Sequence, residues 1–219
     1  DGSGSVTLDA PLRARAETLG HALPPLLAEA QHLAQFRALL DGSADFVLPE
    51  LEPDLCTPQV LAMSYVESAP LESLTTAPQA TRDRVASALI DLVLRELFEF
   101  GAMQTDPNLA NYRYDPKSSR IVLLDFGAVQ PIAPALAADF RDLLAAALDG
   151  TPETIRAAML RIGYFAPETA PHHQDLIQSL FDMAMEPLRQ STPFDFGQSD
   201  LLERLRDRGL ALGSERDLA

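Results

Sequence analysis

The sequence predicts an α+β chain with a mostly helical C-terminal part. Three observations lead there. The stretch "NYRYDPKSSRIVLLD" (111–125) places two β-rich runs around a turn. The runs "FVLPEL" (46–51) and "VLAMSYV" (60–66) are short, apolar and bounded by turn residues, as strands are. From about residue 134 onward the pattern is helical spacing punctuated by helix-start signals.

In chain order, "DGSGS" (1–5) reads as a flexible lead-in, and residues 8–23 carry a Leu/Ala/Arg pattern compatible with a helix. Pro24 and Pro25 break or restart that pattern. Residues 26–40 resume it, with Leu26, Leu33, Phe36 and Leu40 on one expected face, and "DGSAD" (41–45) ends it. After the two strand candidates, "ESAPLES" is a loop. A long helix is expected from about Pro78 to Phe100, with Pro78 in the tolerated first turn. Its apolar run, "VASALIDLVLRELFEF", is interrupted by Asp91, Arg95, Glu96 and Glu99, so it reads as a buried amphipathic helix rather than a membrane span. "DPNLA" cannot continue a helix past Pro107. The hairpin follows, and helices are expected at roughly 134–148, 152–162, 171–190 and 198–209, with Thr151 as a cap.

The bulk composition narrows the function. With 219 residues, 47% of them hydrophobic, the chain can bury one sizeable core or two small ones. A net charge of −15 sets it against nucleic acid and anionic lipid, whose phosphates would repel it. The lone cysteine, Cys56, cannot close an internal disulfide, which fits a reducing compartment. No signal peptide opens the chain and no transmembrane run is present in it. Of 17 basic residues only Lys117 is a lysine.

The chemistry concentrates between Met103 and Gly127. With the turn centred near Ser118, Asn111 lies seven residues before it and Asp125 seven after. Paired strands run about 5 Å apart, so these side chains are expected to meet at the open end of the hairpin. Asp106 sits five residues upstream of Asn111, across a loop containing Pro107. All three groups offer oxygen, and a carboxylate with an amide carbonyl suits a hard cation such as Mg²⁺. Asp106 would then be free to orient or deprotonate an attacking hydroxyl or water. This is the D-x4-N…D-F-G layout of kinase-type phosphoryl transfer. Taken singly, either acid reads as a turn or helix cap. The order, the intervening hairpin, the apolar "IVLL" before Asp125 and the long helix before Asp106 are what favour the joint pattern. By the same analogy "MSYV" (63–66) stands at the hinge: the Ser64 carbonyl and Val66 N–H would read the adenine edge, with Met63 as gatekeeper and Glu67 within reach of a ribose. Standing alone, that segment would be an ordinary core strand.

"LRELFEFGAMQTDPNLANYRYDPKSSRIVLLDFGAVQ" resembles the catalytic segment of the UbiB/AarF-type atypical kinases, which support ubiquinone biosynthesis. "QFRALLDGSADFVLPELEPDLCTPQVLAMSYVES" resembles their stretch from regulatory helix to hinge. The likeness runs from about Glu29 to Leu212. It implies a protein-kinase-like fold, ATP or ADP with Mg²⁺, ATPase-like chemistry, and a membrane-associated role in quinone metabolism. That role would be played in the cytoplasm at the bacterial inner membrane or on the mitochondrial matrix side, with lipid or quinone-pathway proteins as partners. Carried onto this sequence, Asp106 is the catalytic-loop acid, Asn111 and Asp125 are metal ligands, Gly127 supplies the turn after Phe126, and Glu29 matches the regulatory-helix glutamate.

The family's K-x-G-Q motif, alanine-rich nucleotide loop and strand lysine have no counterpart in the sequence. Lys117 sits in the hairpin turn, remote from Asn111 and Asp125, and reads as a solvated turn residue. Arg13 and Arg15 could replace the lysine only by unusual geometry, and Leu23 and Pro25 stand where acids of the family's E-x-D element are expected. The expected parts are therefore a linker and partial helix (1–23), an N-lobe remnant of a helix and two strands (24–66), and a mostly helical C-lobe (67–219), together a partial chain inactive by itself. The alternative is a non-catalytic pseudokinase acting as a nucleotide-binding or scaffold module. His21 and His32 are isolated, and His172 and His173 are adjacent on a helix and point apart. Cys56 is read as a small loop residue. A second D-F-G, at 195–197, lacks both the preceding apolar strand and a partner D-x4-N, and is read as a loop.

Overall fold

The structure, a computed structural model, describes residues 25–106 and 108–216, with side chains as far as Leu210. The lead-in, the 8–23 helix, Arg13, Arg15, His21, Leu23, Pro24 and Pro107 lie outside the described residues. The chain forms two compact units, one ending at Ile132 and the other beginning at Ala133.

The first unit opens with helix α1 (Pro25–Leu39), begun by Pro25, a residue tolerated in a first turn. Its inward face is Leu27, Ala30, Leu33 and Phe36, continued by Leu40; Leu26, expected on that face, is half-buried beside it. Strand β1 is only Phe46–Val47 and β2 only Ala69–Pro70. The expected strands at 46–51 and 60–66 therefore do not form as such. Leu51 and Met63 make a single antiparallel bridge, flanked by bonds from Glu52 N to the Ala62 carbonyl (3.0 Å) and from Ser64 N to the Glu50 carbonyl (2.7 Å). Pro49, Pro53 and Pro58 remove donors that a ladder needs, so pairing cannot propagate. Cys56 fills one gap: its sulfur accepts from Ala62 N at 3.3 Å.

Helix α2 (Gln79–Arg95) turns into a π-helical segment, Glu96–Phe100, and stops at Gly101, whose φ of 64° is the left-handed conformation that glycine tolerates at a helix end. Strand β3 (Ala102–Gln104) leaves from there. The hairpin is β4 (Tyr112–Asp115) and β5 (Arg120–Leu123), and β6 is Val129–Pro131. One sheet has the order β1-β5-β4-β2, with β1 parallel to β5 and the other pairs antiparallel. A second sheet pairs β3 with β6. Ile121, Val122 and Leu123 are essentially fully buried. Around them Leu33, Phe36, Leu40, Val85, Ala88, Leu92, Phe126 and Val129 close one core.

The second unit is helical, as expected: α3 (Pro134–Asp149), α4 (Pro152–Ile162), α5 (Pro171–Ala184) and α6 (Leu201–Arg216), with a single 3₁₀ turn at Glu186–Arg189 where a longer α5 was expected. Thr151 caps α4 through a reciprocal box with Thr154. Leu143, Ile155, Ala158, Met159 and Phe165 form its core.

Candidate functional site

Two short pairings bring the two acidic segments together. In the β3–β6 sheet Gln104 lies opposite Val129. One residue on, Thr105 donates to the Ala128 carbonyl twice, from its backbone N at 3.1 Å and from its hydroxyl at 2.7 Å. Asp106 follows Thr105, and Ala128 follows Gly127, so these bonds fasten the start of the D-x4-N loop to the end of the D-F-G turn. Asp106 and Asp125 are both exposed, as groups that meet a ligand must be.

The loop is shaped by Asn108, whose Oδ1 accepts from Ala110 N at 3.0 Å and starts a 3₁₀ turn over Leu109–Asn111. The hairpin then delivers Asn111, though not in the expected register. Tyr112 pairs with Leu123 and Asp115 with Arg120, and Leu124 N donates to the Asn111 carbonyl at 3.2 Å. Asn111 thus lies opposite Leu124, one residue short of Asp125. The cause is the turn. Asp115 accepts from Lys117 N (2.8 Å) and from the Ser118 hydroxyl (2.5 Å), and Ser119 adopts φ 60°. This closes a four-residue loop whose centre falls between Lys117 and Ser118, not on Ser118.

Asp125 folds back on its own turn: its Oδ1 accepts from Gly127 N at 2.9 Å. A Cβ on Gly127 would stand 3.3 Å from that oxygen and 3.7 Å from a carboxylate oxygen of Glu29. Phe126 is 1% exposed and packs on Phe36, ring centroids 5.1 Å apart. Helix α1 grips the same residue by its backbone: Glu29 accepts from Phe126 N–H, and His32 Nδ1 lies 3.0 Å from the Phe126 carbonyl oxygen. Burial, and then the Asp125 charge beside it, hold the Glu29 carboxyl above its ordinary range; the Phe126 N–H and His32 pull it back. His32, expected to be isolated, is thus part of the grip on Phe126; its spacing of three from Glu29 and four from Phe36 was the available signal.

At the hinge stretch Met63, Ser64 and Val66 are half-buried and Glu67 is exposed. Ser64 is fixed on both sides, because its hydroxyl also accepts from Glu50 N at 2.8 Å. Arg113 in β4 holds the chain just beyond, donating to the Ser68 hydroxyl (3.0 Å) and carbonyl (2.6 Å). Lys117 Nζ sits 2.5 Å from Glu67 Oε2, so the lone lysine faces the hinge stretch.

Sequence reasoning missed Glu96. It is 2% exposed, and its carboxylate accepts from Gln104 N (3.0 Å) and from Gln104 Nε2 (3.1 Å). Burial pushes its carboxyl up to about 7 against the pull of those two bonds. The signal was its spacing, four residues beyond Leu92 and eight beyond Ala88 on the buried face of α2. The Tyr112 hydroxyl is pushed up by burial and then by the charges of Glu96 and Asp106.

The second D-F-G makes an instructive contrast. Asp195 Oδ1 accepts from Gly197 N at the same 2.9 Å, and a Cβ on Gly197 would meet the same oxygen at 3.3 Å. Phe196, however, is 53% exposed and, among the described aromatic rings, packs on Phe194 alone.

Among the described residues no three His, Cys, Asp or Glu side chains gather to hold a metal ion, and no helix is long and apolar enough to cross a membrane. The model of the ABC1 atypical kinase-like domain matches residues 25–159. Zebrafish mitochondrial atypical kinase COQ8B is 31% identical over 178 residues, covering 81% of this chain and 28% of the relative. Yeast mitochondrial atypical kinase COQ8 is 30% identical over 181 residues, covering 81% and 36%. The chain thus spans about a third of the length of these relatives. In structure it resembles Rv3197 of Mycobacterium tuberculosis, solved with erythromycin, at a TM-score of 0.61 and 16% identity over 97% of this chain and 58% of that one; at that identity the likeness speaks to the protein-kinase-like fold alone. The match takes in Glu29, Asp106, Asn111 and Asp125 and more than half of the sequence, and the chain belongs to the ABC1 atypical kinase-like family, beside the COQ8/UbiB-type atypical kinases.

Proposed function

We propose that this chain carries the magnesium-nucleotide end of an ATP-dependent phosphotransferase or ATPase that supports ubiquinone biosynthesis. The observation that supports it most is the pair of hydrogen bonds from Thr105 to the Ala128 carbonyl, which ties the Asp106 loop to the Asp125 turn. The donor set fits the ion: Asn111 and Asp125 offer oxygen, and His32 has its Nδ1 against the Phe126 carbonyl. Bound there, Mg²⁺ would neutralise charge on the nucleotide phosphates. Asp106 takes or orients the proton of the attacking hydroxyl or water. The Ser64 carbonyl and Val66 N–H receive the adenine edge behind Met63 as gatekeeper, and Glu67 reaches a ribose by leaving Lys117.

Full-length protein is expected to gain melting temperature on adding ADP with Mg²⁺, and Asp125→Asn to lose most of that gain. An undiminished gain in the variant would remove Asp125 from the metal site. A second reading, a nucleotide-binding or scaffold pseudokinase, draws on one observation: the only lysine in the sequence pairs with Glu67. ATP hydrolysis by the full-length protein that Asp106→Asn abolishes decides against it. For the working location we take the cytoplasmic side of a bacterial inner membrane or the mitochondrial matrix side, and relatives named as mitochondrial favour the organelle. The partners there would be nucleotide and quinone-pathway proteins or lipid, not nucleic acid.

A further inference from the structure

We propose that Glu96 is the positioning residue of Asp106, acting through Gln104 as a two-pronged clamp at the base of the catalytic loop. The inference rests on the phosphoryl-transfer reading above.

Gln104 presents two donors to one side chain, its backbone N to Glu96 Oε2 and its side-chain Nε2 to Glu96 Oε1. Only a carboxylate has two acceptor oxygens to satisfy both; a glutamine in its place would turn an N–H₂ toward one of them. A buried charged group is costly, and an exposed acid is available one turn on at Glu99. Packing alone would be served by leucine at this position, as at Leu92. What the carboxylate adds is a fixed orientation for Gln104.

That orientation reaches Asp106 by a short path. Gln104 is the last residue of β3 and lies opposite Val129 in the β3–β6 pairing. Thr105 is held by Ala128. Asp106 is next, exposed at the end of two consecutive fixed residues. Glu96 itself cannot drift, because it opens the π-helical segment and its own N–H is shared between the Leu92 and Val93 carbonyls. Its phase, four residues beyond Leu92 and eight beyond Ala88, is what turns the acid inward, just before the chain reverses at Gly101.

The test uses full-length protein, with Glu96→Gln and, as the milder change, Gln104→Met, which removes only the side-chain donor. Amide exchange at Gln104 and Thr105 and steady-state ATP hydrolysis are measured together. Exchange at both amides is expected to quicken in Glu96→Gln. Its kcat is expected to fall roughly tenfold to a hundredfold, the scale of a small misplacement of a reacting group, while KM for ATP and the melting gain with Mg²⁺–ADP stay near wild type. Gln104→Met is expected to move kcat the same way by less. Unchanged exchange in Glu96→Gln overturns the clamp. So does a joint loss of kcat, ATP affinity and melting temperature, which marks a merely structural residue. If the wild type shows no turnover that Asp106→Asn abolishes, the phosphoryl-transfer reading has failed, and the clamp is then decided by exchange alone.

Discussion

Glu96 makes the stability of the first unit depend on pH in a direction opposite to that of a salt-bridged acid. Its carboxyl titrates at about 7 in the folded chain against 4.5 for an ordinary glutamate, because burial outweighs the two Gln104 bonds. A raised carboxyl binds its proton more tightly in the folded state, so the stability it contributes is complete below about pH 4.5 and is lost as pH rises through about 7. The difference between 4.5 and about 7 corresponds to about 3.5 kcal/mol at most, at about 1.4 kcal/mol per pH unit. Screening by nearby solvent trims that figure. The sequence pI of about 4.5 makes the acid end impractical, so the useful window is pH 5.5 to 8, where about 1–2 kcal/mol of the change should appear. Urea unfolding of the full-length protein and of Glu96→Gln, followed by circular dichroism across that window, isolates it, since the other acids are common to both. The wild type should lose stability relative to the variant as pH rises, and the difference should flatten above about pH 7.5. A difference independent of pH would mean that Glu96 titrates as a hydrated carboxyl and that its burial has no energetic consequence.

Phe126→Ala is expected to cost about 3–5 kcal/mol in the same unfolding assay, because the ring is fully buried against Phe36, whereas Phe196→Ala should cost less than about 1 kcal/mol; equal costs would contradict the contrast between the two D-F-G turns. Lys117→Met should not diminish the melting gain with Mg²⁺–ADP, since Lys117 stands in the exposed hairpin turn, where its contact is to Glu67 and not to Asn111 or Asp125. A collapse of that gain would make Lys117 a phosphate ligand.

The helices were legible because each carries its own boundary signals. Pro134, Thr151–Pro152 and Pro171 mark starts, and Gly101 and Gly163 adopt the positive φ that ends a helix. The hairpin was legible for the same local reason, Asp115 and Ser118 being turn formers. Its register was not, because the count depends on Ser119 taking a left-handed conformation, which serine residues seldom do. The segment 46–66 misled more deeply. Its apolar composition is that of strands, but three prolines leave it bridges and side-chain substitutes, such as the Cys56 sulfur, in place of a ladder. Glu96 was visible as a charge interrupting an apolar run, and only its phase within the helix distinguished it from exposed Asp91 and Glu99.

The paired D-F-G turns separate what three letters specify from what a site requires. Asp125 and Asp195 make the same bond to the glycine two residues on, at the same length, so the turn is a local property of Asp-Phe-Gly. Everything that makes 125–127 a candidate site is non-local. Phe126 is drawn into the core by Phe36, its backbone is gripped by Glu29 and His32 from α1, and the next residue, Ala128, is bonded to Thr105 beside Asp106. Glu96 extends the same logic to the other acid, since it fixes Gln104 without touching Asp106. Each exposed carboxylate is therefore held through a neighbour that is itself buried or doubly bonded. That arrangement fixes the backbone on which each exposed carboxylate stands, and the hydrogen bond from Gly127 N orients the Asp125 side chain itself.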